Sequence, residues 1–418
     1  MARRTHGRPA RAVPAFQAVR GGGRGIFGDQ AHGGDEIAAT GDSAALPEWA
    51  KWPENGHPLG DFTLGVEEEV MLISALSNAL ANRIDAVLPR LPADVVTHMT
   101  PETHGSAVEL RTDVHASVGT AIGQIASLRH SLAATLKTLR LRAASAGTHP
   151  FAVWEEIVVS AGERYQFVHG SMRELARREP TFALHVHVGM PDPDTAINVH
   201  NRMRVFLPVL LALSANSPFW QGRDTGLSSA RTPLFQAFPR VGVPRPFHSY
   251  RQYVDNVDLL IRTNAIPEPT FLWWDVRPQP SLGTIEIRVM DSQTRNEDTA
   301  ALVAMTQCLA RREALDSQLS TAQIDSQESI SENRFLAARD GIEAELIDSG
   351  REARVPVPKI VDRLVAALRP HAQELGCEPE LEYCLELARE NGAVRQRRIS
   401  REVPSLAQMV SILADELE

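Results

Sequence analysis

Four segments of the chain alternate between apolar and polar residues, with β-branched residues at many of the apolar positions. The first reads Phe-Thr-Leu-Gly-Val-Glu-Glu-Glu-Val-Met-Leu-Ile over residues 62–73. A period of two over such a length predicts a β-strand with one covered face. The predicted strands are Phe62–Ile73, Ala107–Thr112, Thr181–Met190 and Thr284–Met290.

Helical periodicity occupies much of the remaining chain. Ser117 is a predicted N-cap for a long amphipathic helix that runs to about Ala146 and stops before Gly147. The other predicted helices are Thr195–Ala215, Ser249–Thr263, Glu297–Gln318 and Ile360–Leu375. Strands and helices follow in no regular βαβ order, and the strands alternate. The pattern therefore predicts an α+β fold in which helices cover one face of an antiparallel sheet.

The pattern also divides the chain into two parts. Residues 1–58 are rich in Gly, Arg, Ala and Pro and show no sustained periodicity, so a disordered extension is predicted there. Residues 59–418 are predicted to form a single catalytic domain. Within it we expect a loop at residues 317–332 and a helical C-terminal part at residues 354–418.

Composition narrows the class of protein. The 418 residues are 43% hydrophobic with a net charge of −9, which allows a substantial core and provides no positive field for nucleic acid. No apolar run reaches the roughly 20 residues that a membrane-spanning helix needs. The three cysteines lack the spacing of a metal knuckle and are too few for a disulfide framework. We therefore expect a cytoplasmic protein that binds neither nucleic acid nor membrane.

Acidic and imidazole side chains share a face on two of the predicted strands. In the first strand, Glu67 and Glu69 lie on one face about 7 Å apart, and Glu68 lies on the other. In the third strand, His185 and His187 share a face. A solvated strand face or hydrogen-bonded core histidines would produce the same patterns. Two imidazoles side by side on a core strand nevertheless indicate ligation or substrate contact.

Related groups occur in the other two strands. Glu286 and Arg288 share a face of the fourth strand, where a plain ion pair is the commonest arrangement. Beside a metal ion, the carboxylate would bind the cation and the arginine would neutralise a transferring phosphate. Glu102 and Glu109 flank the start of the second strand, and Glu109 has apolar neighbours on both sides. Each of these features alone proves nothing.

The joint pattern is more informative than its parts. A set of carboxylates with one imidazole nitrogen suits Mg²⁺ or Mn²⁺, and several such ions would hold a polyphosphate. The chain has no G-x-x-x-x-G-K-S/T loop and no G-x-S-x-G motif. Because His-x-His also occurs in zinc hydrolases, a metal-dependent amide hydrolase is the competing interpretation.

Longer strings of the sequence resemble one family, the carboxylate–amine ligases of the glutamate–cysteine ligase type 2 group in the glutamine synthetase superfamily. They lie between residues 64 and 341: LGVEEEVML from Leu64, GTHPFAVWEE from Gly147, LHVHVGMPD from Leu184, LPVLLALSANSPFWQGRDTGLSSART from Leu207, WWDVRPQPSLGTIEIRVMD from Trp273 and NRFLAARDG from Asn333. The resemblance implies an antiparallel sheet bent into a funnel, with helices on the outer face, that binds ATP and divalent metals.

The resemblance also implies residue roles. Glu67 and Glu69 of the Gly-x-Glu-x-Glu strand would supply ligands to two metal sites. Glu102 and Glu109 would complete the first site. His185 and Glu286 would complete the second. The implied metal ligands are Glu67, Glu69, Glu102, Glu109, His185 and Glu286. His187 and Arg288 would face an acyl phosphate, and Arg288 would also contact the nucleotide.

Three further arginines are candidates for substrate contact. Arg277 is expected either as a second phosphate or carboxylate clamp or as an ion-pair partner of Asp275. Arg334 and Arg339 either contact the nucleotide or substrate carboxylate or lie on a helix surface.

The implied reaction activates a carboxylate as an acyl phosphate at the expense of ATP, and an amine then displaces phosphate. Glutamate is the expected carboxylate donor, and cysteine or another small amine is the expected acceptor. If the true acceptor is an amine other than cysteine, glutamate–cysteine ligase activity is expected to be a weak side reaction. The resemblance makes a homodimer reasonable. A catalytically silent sensor of nucleotide or amino acid is a further alternative, against which the complete set of acidic, imidazole and arginine residues argues.

Overall fold

The computed structural model describes residues 45–54, 56–177 and 180–418. The strands in this part of the chain are β1 (Leu64–Ser74), β2 (Met99–Pro101), β3 (Ala107–Arg111), β4 (Leu141–Ala144), β5 (Ala183–Gly189), β6 (Phe219–Trp220), β7 (Arg223–Asp224), β8 (Val241–Gly242), β9 (Trp273–Trp274), β10 (Val276–Gln279), β11 (Thr284–Asp291), β12 (Glu345–Asp348) and β13 (Ala353–Pro356).

The α-helices in the same part of the chain are α1 (Ile84–Val87), α2 (Ala93–Val96), α3 (Val118–Thr138), α4 (Glu163–Met172), α5 (Pro193–Met203), α6 (Leu207–Ser214), α7 (Arg231–Phe235), α8 (Tyr250–Arg262), α9 (Asn296–Leu315), α10 (Thr321–Ile324), α11 (Gln327–Asp340), α12 (Val357–Leu375), α13 (Glu378–Leu387), α14 (Gly392–Glu402) and α15 (Leu406–Leu417).

The main sheet has seven strands in the order β10-β11-β5-β1-β3-β2, with β4 beside β1. All of its strand pairs are antiparallel. The register places Glu67 opposite His185 and Glu69 opposite Glu109. Because paired residues of neighbouring strands point to the same face, the acidic and imidazole side chains converge on one face of the sheet.

Helices cover the opposite face. α3, α5, α6 and α9 pack on the sheet, and α12 and α13 pack in turn on α9. The apolar side chains of β1 and β5 that face this layer, such as Val66 and Val186, are fully buried. The α+β class, the antiparallel sheet and the four predicted strands are thus confirmed, each strand to within two residues at either end.

Two predicted helices were wrong in extent. The helix that starts after Ser117 ends at Thr138 rather than near Ala146, because residues 141–144 form β4 and pair with the edge of β1. Sheet pairing here overrides a local sequence that also suits a helix. The helix predicted at Thr195–Ala215 is divided into α5 and α6, and Pro208, which lacks a backbone N–H, lies in the first turn of α6.

The predicted boundaries of the loop and the extension also need correction. Residues 317–332 contain α10 and the start of α11 instead of a continuous loop, and Ser320 and Gln323 form a capping box there. Residues 1–44, predicted to be disordered, lie outside the described residues. Residues 48–50 form a 3₁₀ helix whose Trp49 donates a hydrogen bond to Asp258, so the folded part begins before residue 59.

The C-terminal part is helical, as predicted, and it completes the core. α12 to α15 follow one another after β13, and α15 packs on β4. Met409 and Leu413 of α15 are buried against the apolar side chain of Met71 in β1. Residues 46–418 belong to one compact unit.

Candidate active site

A cavity of about 490 Å³ lies over the face of the sheet opposite α3, α5, α6 and α9. We call it the central cavity. It is lined by all of the predicted metal ligands and by three of the predicted catalytic residues: Glu67, Glu69, Glu102, Glu109, His185, His187, Arg277, Glu286 and Arg288. The structure therefore brings together residues from β1, β3, β5, β10 and β11, which are far apart in the sequence.

One group of potential metal-binding atoms comes from three neighbouring strands. Ligand atoms of Glu67, His185 and Glu286 all lie within 4.8 Å of one another. Nδ1 of His185 is 3.2 Å from Oε2 of Glu67 and 3.9 Å from Oε1 of Glu286. Burial lowers the pKa of His185 to about 4, so the imidazole is neutral and its nitrogen lone pair is available near pH 7.

Arginines surround the carboxylate of Glu286. Arg277 donates from Nε to Oε2 at 2.6 Å and from Nη2 to Oε1 at 3.2 Å, and Arg288 also donates to Oε1. Burial alone would raise the pKa of Glu286, but the adjacent guanidinium groups hold it well below its usual range. Arg277 is therefore paired with Glu286, while Asp275, the alternative partner considered from the sequence, is paired with Arg334.

A second group consists of Glu69, Glu109 and His185, whose ligand atoms also lie within 4.8 Å of one another. Burial and the charge of Glu102 raise the pKa of Glu69 to about 8. Burial and the neighbouring carboxylates raise the pKa of Glu109 well above its usual value. Carboxylates held this close without enough positive charge are the donor set that a divalent cation would stabilise, so these residues fit Mg²⁺ or Mn²⁺.

Glu102 lies in the same cavity but belongs to neither group. Its Oε2 accepts a hydrogen bond from the backbone N–H of Thr103 at 3.1 Å. Burial raises the pKa of Glu102, and the charge of Glu67 adds to the effect. The charge of Glu102 acts on Glu69, so the two carboxylates are neighbours in the cavity.

His187 faces both carboxylates of the first group. Its Nδ1 lies 3.0 Å from the hydroxyl of Thr284, and its buried Nε2 lies 3.5 Å from Oε1 of Glu67 without a hydrogen bond. Burial opposes protonation, but the charges of Glu286 and Glu67 raise the pKa of His187.

Arg334 and Arg339 are not among the residues that line the central cavity. Arg334 pairs with Asp275 and donates to Gln236. Arg339 is exposed and pairs with its neighbour Asp340. Both residues lie on α11, so the helix-surface interpretation describes their placement.

Sequence reasoning missed Arg231, which also lines the cavity. It is buried at the start of α7, and its Nη1 and Nη2 donate to the backbone oxygens of Val289 and Arg288, each at 3.2 Å. Burial lowers its pKa, while Asp291 opposes that change. No strand or helix period indicates such a residue, since its position depends on tertiary contacts. The one sequence feature that could have indicated Arg231 is its position near the end of the family-like string that starts at Leu207.

A larger cavity of about 740 Å³ adjoins the first. The two share Glu67, Arg111, His187, Ser281 and Leu282 in their linings. The walls of this adjoining cavity include Trp52, Met190 and the backbone around Gly283. The shared residues lie next to the metal-ligand groups, so one extended ligand can reach from one cavity into the other.

Known proteins with similar sequences were found across nearly the whole domain. The profile of glutamate–cysteine ligase family 2 (GCS2) matches residues 63–410. "Putative glutamate–cysteine ligase 2-1" of Rubrobacter xylanophilus is 40% identical over 355 residues, which cover 85% of this chain and 94% of that protein. "Putative glutamate–cysteine ligase 2" of Sorangium cellulosum is 37% identical over 361 residues, with 85% and 96% covered.

Solved structures show the same fold at low sequence identity. Glutamate–cysteine ligase of Francisella tularensis, in complex with AMP, has a TM-score of 0.67 at 12% identity and covers 86% of this chain and 88% of its own. A bifunctional glutathione synthetase of Pasteurella multocida has a TM-score of 0.65 at 13% identity, with 86% and 52% covered.

Fold, site and relatives together define the class of protein: an ATP-dependent ligase that forms carbon–nitrogen bonds between a carboxylate and an amine. The predicted ligase fold is confirmed, since the solved glutamate–cysteine ligase shares it. The chain belongs to glutamate–cysteine ligase family 2. Membership in this family implies that it uses a nucleotide and small-molecule substrates. Among the described residues, none of the helices is long and apolar enough to cross a membrane.

Proposed function

We propose that the protein joins a carboxylate of glutamate to a small amine, with Mg²⁺ or Mn²⁺ as the metal. The observation that carries this proposal is the pair of metal-ligand groups that share His185 on one face of the sheet. Arg288 lies beside them, with Nη1 3.4 Å from Nδ1 of His185. Two adjacent cations next to an arginine are the arrangement that phosphoryl transfer requires.

The metal ligands in this proposal are Glu67, His185 and Glu286 for one ion and Glu69 and Glu109 for the other, with Glu102 as a further candidate near the second. His185 is assigned to one ion only, because a neutral imidazole has a single free lone pair. Bound there, the ions would neutralise charge on the phosphate groups of ATP. In that state Arg288 would be free to turn from Glu286 toward the transferring phosphoryl group, because the cation replaces it as the partner of the carboxylate.

The chain's own residues then have separate tasks. Arg288 stabilises negative charge on the transferring group, and His187 faces the acyl phosphate with its open Nε2. Arg277 is the predicted second clamp, but its contacts favour a positioning role, since it fixes the carboxylate of Glu286 from behind. The buried setting excludes water, so that the amine reaches the acyl phosphate first.

The chemistry proceeds in two balanced steps. A carboxylate oxygen of glutamate attacks the γ-phosphorus of ATP, and ADP leaves. The amine nitrogen then attacks the acyl carbon, phosphate leaves with the electron pair of the broken C–O bond, and the nitrogen loses a proton. The adenosine of ATP would lie in the adjoining cavity, whose mostly apolar walls suit it and whose shared lining leads its phosphates to Glu67 and His187.

The test is ATP-dependent formation of an acyl hydroxamate when glutamate, Mg²⁺ and hydroxylamine are supplied. We expect wild-type protein to form the hydroxamate and both Glu67→Gln and Arg288→Ala to lose at least 100-fold in rate. Arg339→Ala is the matched control, because this exposed arginine does not line the cavity. Binding of ATP without any hydroxamate would support the silent sensor, and amide hydrolysis without nucleotide would support the hydrolase. Homodimerisation, a cytoplasmic location and the absence of nucleic-acid binding stay predictions.

A further inference from the structure

Three aromatic side chains line one side of the central cavity: Phe235, Phe238 and Trp273. We call them the aromatic wall. The ring of Phe238 lies edge-on to Phe235, with centroids 5.3 Å apart, and 6.0 Å from the ring of Trp273. Each of the three is only partly buried. Partly exposed rings beside the charged groups of this cavity indicate a ligand with an apolar part.

Phe235 of the aromatic wall is connected to β11, the strand that carries Glu286 and Arg288. Phe235 ends α7, and α7 begins with Arg231. The guanidinium of Arg231 bonds the backbone oxygens of Arg288 and Val289 in β11 and lies 5.8 Å from the ring of Phe235. One buried arginine thus joins the helix that carries this ring to the backbone of β11.

Trp273 of the aromatic wall is connected to the same strand through the hydrogen bonds of Arg277. Arg277 is paired with Glu286, and its Nη1 donates to the carbonyl oxygens of Thr270 and Leu272, both at 2.9 Å. Leu272 directly precedes Trp273. The wall is thus held at a defined place relative to Glu286 and Arg288, as a specificity pocket must be.

The remaining lining adds an ion pair and two further side chains of α4. Tyr165 and Val168 of α4 line the same cavity. Glu268 also lines it, and its Oε1 accepts from the hydroxyl of Thr270 at 2.7 Å and pairs with Arg164. Because Arg164 already matches the charge of this carboxylate, the apolar part of a ligand is left to the aromatic rings.

We propose that the amine acceptor carries an aromatic or similarly bulky apolar group that packs on the aromatic wall. This inference rests on the proposed function and deepens it by naming the class of acceptor. Cysteine has one methylene and a thiol beyond its Cα, which would leave most of the three rings uncovered. An aromatic side chain can bury about 150 to 250 Å², so the larger amine gains far more from this wall.

The experiment compares three probe amines, 2-phenylethylamine, ethylamine and cysteine, in ATP- and glutamate-dependent amide formation. We expect kcat/KM for 2-phenylethylamine to exceed that for each of the others at least tenfold. Phe238→Ala and Trp273→Leu are expected to lower the ratio of 2-phenylethylamine to ethylamine at least tenfold. Phe335→Ala is the matched control, because this ring is 50% exposed and is not part of the central cavity lining.

The hydroxamate assay separates the two hypotheses, since hydroxylamine is too small to need the wall. If hydroxamate forms but ethylamine or cysteine is used as well as 2-phenylethylamine, or the wall variants leave the ratio unchanged, the acceptor inference is overturned and the ligase proposal stands. If no hydroxamate forms, calorimetric binding of 2-phenylethylamine decides. If wild-type protein binds 2-phenylethylamine and Trp273→Leu weakens this binding at least tenfold, the acceptor inference is supported. If both proteins bind it equally, or neither binds it, the inference is overturned.

Discussion

The guanidinium of Arg277 is fully engaged, with two hydrogen bonds to Glu286 and two to backbone oxygens. Lysine keeps the charge but cannot form this planar set of bonds. We therefore expect Arg277→Lys to raise the Mg²⁺ concentration for half-maximal activity about 10- to 100-fold, because the ligand Glu286 loses its orientation. Titration of the hydroxamate rate with Mg²⁺ measures this change. An unchanged Mg²⁺ dependence with a raised KM for ATP or glutamate would instead make Arg277 the substrate clamp considered from the sequence.

At the scale of residues, the period of a strand carries much of the information about the site. It placed Glu67 with Glu69 and His185 with His187 on common faces, and the register of the sheet brings these faces together. The strand period could not show which carboxylate pairs with a given arginine. Arg277 bonds Glu286, its register partner on β11, because the sheet puts the two side chains on one face. Such a choice follows from strand order, which the pattern of one strand does not contain.

At the scale of elements, β1 carries carboxylates on both of its faces. Opposite the cavity, Glu68 is fully buried and receives Arg129 of α3, with Nε to Oε2 at 2.7 Å and Nη2 to Oε1 at 2.5 Å. Arg129 also donates to the backbone oxygens of Gln293 and Thr294 just after β11. This one side chain therefore joins α3 to two strands that carry the site.

We expect Arg129→Met to lower the free energy of unfolding by about 3 to 5 kcal/mol, since it leaves the carboxylate of Glu68 buried without a cation. Urea denaturation followed by circular dichroism measures the change. The double variant Glu68→Met with Arg129→Met should be more stable than the single one, because no unpaired charge remains. A single variant within about 1 kcal/mol of wild type would show that the pair contributes little.

The predicted end of the helix after Ser117 was wrong because a tertiary contact, the pairing of β4 with β1, sets it. Residues 141–144, Leu-Arg-Ala-Ala, suit a helix locally, yet they pair with β1 at Met71 and Leu72. The helix must end earlier, and Arg140 adopts a positive φ of 56° at the turn. Helix starts were easier to predict: Ser117 and Ser249 both cap the helices that follow them. A cap depends on a few adjacent residues, whereas an end set by sheet pairing depends on a distant strand.

At the scale of the whole molecule, the parts beyond the family-like strings were the least predictable. Trp49 and Ala50 lie in a stretch assigned to a disordered extension, but Ala50 is fully buried and accepts a hydrogen bond from Tyr250 at 2.6 Å. α15 closes the core against β4 at the other end of the chain. Both contacts join residues about 200 or more positions apart, so short-range patterns carry no sign of them. Periodicity predicted the α+β class and the antiparallel sheet, whereas the particular ligase fold came from the resemblance to a family.

At the scale of the whole molecule, histidines buried in the neutral form make a contribution to stability that is lost in mild acid. Burial lowers the pKa of His149 and of His200 to about 4. His149 bonds the oxygen of Asn78, and His200 lies beside Phe247 with Arg204 nearby, which also disfavours its charge. Between about pH 6.5 and 4 these histidines bind protons in the unfolded chain but not in the folded chain, so their contribution to the free energy of unfolding decreases as the pH falls.

Each such histidine contributes a slope of about 1.4 kcal/mol per pH unit within this window. We therefore expect the pH dependence of unfolding in His200→Leu to be shallower than that of wild type by about this amount between pH 6 and 4.5, as measured by urea denaturation at a series of pH values. His248→Gln is the control, because this exposed side chain meets nearly the same solvent before and after unfolding. Equal slopes for wild type and His200→Leu would mean that His200 takes up its proton in the folded state, which its fully buried position opposes.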